Sequence, residues 1–155
     1  MQVATPATSQ LPAPTQDAIA VATPMTADPM GMQRVCTLTP PCGMHEVGLA
    51  QALTEGRPVV LEFATPAYCQ TAVCGPSVEV LDDVRTSHDW GDVAFIHVEI
   101  SRDAGQTLAK PVERWGLPSE PWLFTIAADG TIEDRMDGPL LTLPDQLVGM
   151  IEHLA

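Results

Sequence analysis

Residues 58–64, PVVLEFA, form an almost unbroken apolar run rich in β-branched side chains, interrupted only by Glu62. A strand with one face in water would alternate polar and apolar residues. This run fits a strand covered on both faces, as in a parallel sheet with crossover helices. The rest of the chain reads consistently around it. Residues 76–86, PSVEVLDDVRT, carry Val78, Val80, Leu81 and Val84 with acids between them, a helical pattern. DVAFIHVEIS, residues 92–101, is a second strand. LAKPVERWG is a short helix or turn ahead of Gly116. PWLFTIAADGTIEDRMDG is two strands joined at Asp129-Gly130, a hairpin signal. LPDQLVGMIEHL places Leu143, Leu147, Val148, Met150, Ile151 and Leu154 on one helical stripe, with Pro144 and Asp145 suited to its first turn. Upstream, HEVGLAQALTEGRP is one short helix stopped by Gly56 and Pro58. From residue 58 the order is β-α-β-α-β-β-α. Parallel strands with crossover helices come first, and an antiparallel hairpin follows.

The 155 residues suffice for one domain with a hydrophobic core, and the 45% apolar content is that of a globular protein. Twenty acids against seven bases give a net charge of −13, which disfavours nucleic acid and anionic membrane surfaces as partners. No apolar run is long enough to span a membrane. The first 32 residues are dominated by Ala, Thr and Pro and carry almost no charge. Such a stretch buries too little apolar surface to offset its ordering entropy. We therefore expect a flexible stalk over residues 1–33 and a folded domain over 34–155. Stalks of this kind follow a cleaved signal or lipid anchor, so the expected setting is extracytoplasmic, periplasmic or at the cell surface, with a membrane tether upstream of residue 1. The alternative is an ordinary disordered N-terminus on a cytosolic protein.

Four cysteines form two close pairs, Cys36/Cys42 and Cys69/Cys74. Close pairs suit an oxidising compartment, and cytosolic redox enzymes carry them too. In YCQTAVCGP, residues 68–76, four residues separate the second pair and Gly75-Pro76 follows directly. A disulfide needs Cα atoms roughly 4.4–6.8 Å apart. Residues five apart on an intact helix are offset by about 140° and about 7.5 Å of rise, which holds the sulfurs apart. The pair can close if the helix has not begun at Cys69. Pro76 at the first helical position, with Gly75 as N-cap, would allow that. A helix that starts at Cys69 and kinks near Pro76 is the other option. A thiol at a helix N-terminus faces unpaired N–H groups and the positive end of the dipole, which favours the thiolate. Cys69 is on this reading the nucleophile and Cys74 the resolving thiol. A structural disulfide that never turns over is the alternative.

The strand order, with a cysteine just past the first core strand, resembles the thioredoxin fold over about residues 45–155. VVLEFATPAYC resembles the family's strand running into its active-site cysteine. WGLPSEPWLFTI resembles the segment in which a cis-proline precedes the next strand, which puts Pro121 at that position, and AADGTIEDRMDG resembles the hairpin that follows. The departure is the spacing: the family's usual motif has two residues between the thiols. The resemblance implies a central mixed sheet flanked by helices and exchange with protein thiols or disulfides. It implies a role in proton transfer to the resolving thiol for a buried acid on the first strand, here Glu62, which falls beside the matching Phe63. A strand edge that lets Glu62 reach water is the alternative. The resemblance also implies that Pro121 lies against the Cys69 sulfur and that an extended substrate chain binds along the neighbouring backbone at Glu120. Tyr68 and Trp122 would then form the rim, or simply pack.

Cys36 and Cys42 flank TLTPP and read as a structural disulfide tying down the N-terminal extension. A second, relaying redox pair is the alternative. No cofactor and no metal ligands are assigned. Copper binding is an alternative, because His45 lies near Met44 and Cys42, the stalk holds Met25, Met30 and Met32, and soft sulfur ligands suit Cu(I). Some copper-delivery proteins share the fold with a cysteine pair and a later histidine, but His97 lies mid-strand, at no clearly matching place. Some peroxiredoxins have the same four-residue gap, with a Thr three residues before the reactive Cys. Here that position is Pro66, with Thr65 one step off, and no activating Arg is evident. Thiol–disulfide exchange therefore ranks above peroxide reduction, copper delivery and a non-catalytic adaptor.

Overall fold

All five residues of strand β1, Val59–Phe63, are buried. Its position accounts for this: in the computed structural model, which describes residues 11–69 and 72–154, β1 is an inner strand of a four-stranded sheet ordered β2-β1-β3-β4. Helix α1, Leu49–Thr54, precedes β1. After it come helix α2 (Cys74–Ser87), strand β2 (Ala94–Val98), helix α3 (Lys110–Trp115), the hairpin of β3 (Trp122–Ile126) and β4 (Ile132–Asp137), a 3-10 turn over Gly138–Thr142, and helix α4 (Pro144–Glu152). Strand β2 runs parallel to β1, while β3 pairs antiparallel with both β1 and β4.

Strand alternation sorts the core into two layers. Val59, Leu61 and Phe63 share a face with Ile96, Val98, Phe124 and Ile126, packed under α1 and α3. Val60, Ala64, Phe95 and Leu123 face the other way, under Val78, Leu81 and Val84 of α2 and Leu147, Met150 and Ile151 of α4. The anchor of the first layer is Trp115, fully buried, with its ring 4.7 Å from Phe124 and 5.6 Å from Phe63. Truncating such a ring to Ala costs about 3–5 kcal/mol. Gly116 ends α3 at φ 67°, and its N–H returns to the carbonyls of Val112 and Glu113. Gly130, at φ 90°, makes the β3–β4 turn, where the Asp129 carboxylate accepts the Thr131 N–H at 2.9 Å.

The extension behaves differently from the stalk expected over 1–33. Residues 1–10 lie outside the described residues, but residues 11–33 are laid across the domain. Asp17 bridges Thr131 on the hairpin, and the Thr15 N–H donates to the Ile132 carbonyl at 2.9 Å. The Arg135 guanidinium donates to the Pro12 carbonyl at 2.8 Å. The Trp115 indole N–H donates to the Ile19 carbonyl at 3.2 Å, and the Thr23 hydroxyl accepts the N–H of Leu49 at the start of α1 at 3.0 Å. Leu11, Thr23 and Met32 are buried, and Ala18, Ile19 and Val21 pack on the core. Low periodicity hides this because the segment is an extended strap. It satisfies its backbone on the sheet edge and on side chains of other elements, so a few apolar residues suffice to hold it. Among the described residues, no helix is long and apolar enough to cross a membrane.

Candidate active site

The chain leaves β1 through Ala64, Thr65 and Pro66 and reaches Cys69 before α2 begins. Cys69 and Cys74 are joined by a disulfide, with Cα atoms 6.0 Å apart. The helix has not started at Cys69, which is one of the two routes to closure the spacing allows. Its first residue is Cys74, with Val73 as N-cap, two positions earlier than an N-cap at Gly75. Pro76 is accommodated one turn in, because the first N–H groups of a helix have no intrahelical acceptor to lose. This corrects the expectation for the helix dipole: the sulfur at the N-terminal end of α2 is that of Cys74. The two sulfurs also differ in access. Cys74 is fully buried, whereas Cys69 is only partly buried.

The Glu120–Pro121 peptide is cis. The Glu120 side chain turns toward the disulfide, with Oε1 3.5 Å from Cys74 Sγ and accepting the Thr65 N–H at 3.3 Å. Partial burial pushes the Glu120 carboxyl above the usual carboxylate range; the Thr65 N–H opposes the shift and the nearby Glu99 charge adds to it. Sequence reasoning gave the proton-handling part to Glu62. That side chain is buried on β1, and neither carboxylate oxygen has a hydrogen-bond partner. The strand edge that would let it reach water is therefore not what the fold provides. Burial raises its pKa to about 7, with the His97 charge opposing. In the alternation of β1, Glu62 shares the α2-facing side with Val60 and Ala64, and its register partner on β2 is His97. The carboxylate in contact with Cys74 is that of Glu120, and its only sequence signal was its place before Pro121.

The two expected rim residues separate. Tyr68 is 42% exposed and lines a cavity of about 160 Å³ with Thr65, Ser101, Gln106, Leu108 and Glu120. The cavity thus adjoins the disulfide through Glu120. Trp122 belongs to the other face of the sheet. Its ring stacks on Phe124, lies 5.7 Å from the Arg135 guanidinium carbon, and donates its N–H to Ser119 Oγ. It packs, because β3 alternates and Leu123, not Trp122, points to the layer that holds Cys74.

The second pair overturns a sequence expectation. Cys36 and Cys42 are both free thiols, with Sγ atoms 3.6 Å apart. A disulfide bond is about 2.05 Å long. Both are buried, and His45 and His97 are buried beside them. Burial alone would lower the His97 pKa, but the hydrogen bond to Cys36 and the charges of Glu99, Cys36 and Glu62 outweigh it and hold it at about 9. The hydrogen bond from Cys42, helped by both histidines, holds the Cys36 thiol far below its ordinary value against the effect of burial. The same hydrogen bond pushes Cys42 upward. His97, unassigned on sequence because it lies mid-strand, belongs to this cluster.

No protein-family model matches the chain, and no curated protein matches its sequence. Solved structures do match its fold. The structure of MTB DsbF in mixed oxidized and reduced forms superposes with a TM-score of 0.53 at 22% identity, covering 72% of this chain and 91% of that one. The solution structure of a candidate protein disulfide isomerase from Bacteroides thetaiotaomicron gives a TM-score of 0.52 at 14% identity, covering 92% and 91%. The fold is thioredoxin-like. Cys69 and Cys74 lie where the first core strand leads into the following helix.

Proposed function

We propose that the protein exchanges disulfides with other proteins through Cys69 and Cys74. The observation that carries this reading is the disulfide at the N-terminus of α2, with one sulfur partly exposed, the other buried, and a carboxyl group 3.5 Å from the buried one. An incoming substrate thiolate attacks Cys69 Sγ, the more accessible sulfur. A substrate–Cys69 bond forms, the Cys69–Cys74 bond breaks, and the electron pair leaves on Cys74. The helix N-terminus favours that thiolate, and Glu120, with its raised pKa, is placed to give it a proton. A second substrate thiolate then attacks the substrate sulfur of the mixed disulfide. The substrate leaves oxidised, and both cysteines are left reduced. The reverse sequence, in which the Cys69 thiolate attacks a substrate disulfide, uses the same atoms. The Tyr68–Leu108 cavity beside Glu120 offers room for a flanking residue of an extended chain, which cis-Pro121 would help to align.

An extracytoplasmic setting is part of this reading, supported by the oxidised pair, because disulfides persist in oxidising compartments. The test is a Cys74→Ser protein incubated with an extract of its own compartment. A mixed disulfide to partner proteins, released by dithiothreitol and absent from Cys69→Ser, is the expected result. No trapped partner, together with a Cys69–Cys74 bond that resists mild reductant, would replace exchange with a purely structural bond.

A further inference from the structure

Cys36, Cys42, His45 and His97 come from a loop without regular secondary structure and from the middle of strand β2, yet they meet in one buried place. Their donor atoms all lie within 4.8 Å of one another. Cys36 Sγ is 3.6 Å from Cys42 Sγ, Cys42 Sγ is 3.6 Å from His97 Nδ1, and His97 Nδ1 is 3.1 Å from His45 Nε2. A tetrahedral zinc ion, with Zn–S about 2.3 Å and Zn–N about 2.0–2.1 Å, sets its ligand edges at about 3.8 Å for S···S, about 3.6 Å for S···N and about 3.3 Å for N···N. The three observed edges lie within about 0.2 Å of these values, with the N···N edge the shortest. We propose that these four side chains form a structural zinc site.

Protonation chemistry supports the assignment. The Nε2 of His97 lies 2.8 Å from the Ala64 carbonyl, which can only accept, so Nε2 carries a proton. In the neutral ring, Nδ1 then turns its lone pair toward Cys42 and His45. This is the outer hydrogen bond that fixes the tautomer of metal-binding histidines. His45 Nδ1 has no partner, so nothing but the cluster engages that ring. The carboxylate of Glu99, on the strand just past His97, accepts the Thr37 N–H at 2.7 Å and the Thr37 hydroxyl at 3.0 Å, which pins the residue after Cys36. The backbone N–H of His97 donates to the Met44 carbonyl at 3.0 Å, which ties the ligand loop to the outer edge of β2. Two thiolates and two neutral imidazoles leave a zinc ion neutral overall, the condition under which a charge can be buried. With four protein ligands and exposures of 3%, 9%, 3% and 0%, the site has no open position for a substrate, as expected of a structural rather than a catalytic ion. The other sulfur cluster, Cys69, Cys74 and Glu120, is unsuited to a metal while its sulfurs are bonded to each other.

The experiment is metal analysis of the full chain purified without chelator, with zinc and Co(II) reloading under reducing conditions. One zinc per chain is expected, together with a tetrahedral Co(II) spectrum carrying a thiolate charge-transfer band. X-ray absorption on the wild-type protein should show two sulfur and two nitrogen neighbours, and it decides the matter even where ligand variants fail to fold. Cys42→Ser and His97→Gln should bring zinc to near zero, whereas a Cys69→Ser/Cys74→Ser protein should keep it. That last protein separates this proposal from the exchange reading, since it lacks the exchange pair altogether. A chain that takes up no zinc after reduction, a native Cys36–Cys42 disulfide in mass spectrometry, or a protein purified with copper rather than zinc on these ligands would overturn the assignment.

Discussion

The two cysteine pairs have nearly the same spacing and opposite fates. Cys69 and Cys74 are bonded at a helix terminus beside a cavity. Cys36 and Cys42 are unbonded and enclosed with two histidines. Four intervening residues in one case and five in the other do not distinguish the proposed exchange pair from the proposed metal-ligand pair. Neighbours do. On the proposed readings, Glu120 and the first turn of α2 would supply a proton donor and a positive field to one pair, and His45 and His97 two further lone pairs to the other. Spacing says which thiols can meet, and the surrounding donors say what the meeting is for.

The most direct way to break this contrast is differential alkylation after mild reduction. Cys69 should label at once in the native protein, while Cys36 and Cys42 should label only on unfolding or chelation; equal labelling of both pairs would erase the distinction. Glu62, whose register partner is His97 and whose face is shared with Cys74, gives the next effect. The folded protein holds a proton on Glu62 up to about pH 7, whereas the unfolded chain releases it near 4.5. The stabilisation is therefore complete below pH 4.5 and is lost as pH rises through about 7, by about 3 kcal/mol at 1.36 kcal/mol per pKa unit. Denaturant titrations across this window should show the decline, and Glu62→Gln should flatten it, leaving the same-signed contributions of Glu99 and Glu120. An unchanged slope would mean that Glu62 is not the titrating group.

Glu120→Gln sharpens the comparison on the redox side alone. If Glu120 hands the proton to Cys74, exchange should slow by about 10²-fold, the low end for general acid–base catalysis, and its pH profile should lose a limb. A uniform slowing with the profile intact would make Glu120 merely structural. The smallest effect concerns the strap. Thr23→Ala removes the acceptor for the Leu49 N–H and should cost about 1 kcal/mol in denaturant unfolding. It should leave exchange through Cys69 unchanged; no loss of stability would mean that the strap is not anchored at α1.

Much of the fold was legible because the strands are buried enough to write their environment into composition. PVVLEFA announced an inner strand, Asp129-Gly130 a hairpin, and Pro144 the start of the last helix, and each stands where expected. The 3-10 turn at Gly138–Thr142 was not anticipated, and Pro76 misplaced the start of α2 by two residues, because a proline is equally tolerated across the first turn. The strap over 11–33 was misread because composition measures how much apolar surface a segment carries, not how much a neighbour needs covered.

Local pattern alone determined the alternation of strands and helices, the acidic surface and the ability of Cys69 and Cys74 to meet, since each depends on residues close together in the chain. Only the tertiary structure decided that Glu120 lies 3.5 Å from Cys74, that Trp122 faces away from the disulfide, and that His97 joins Cys36 from more than sixty residues away. Such contacts depend on strand register and on which way a side chain points. One residue of shift reverses the facing, and no short stretch of sequence carries that information.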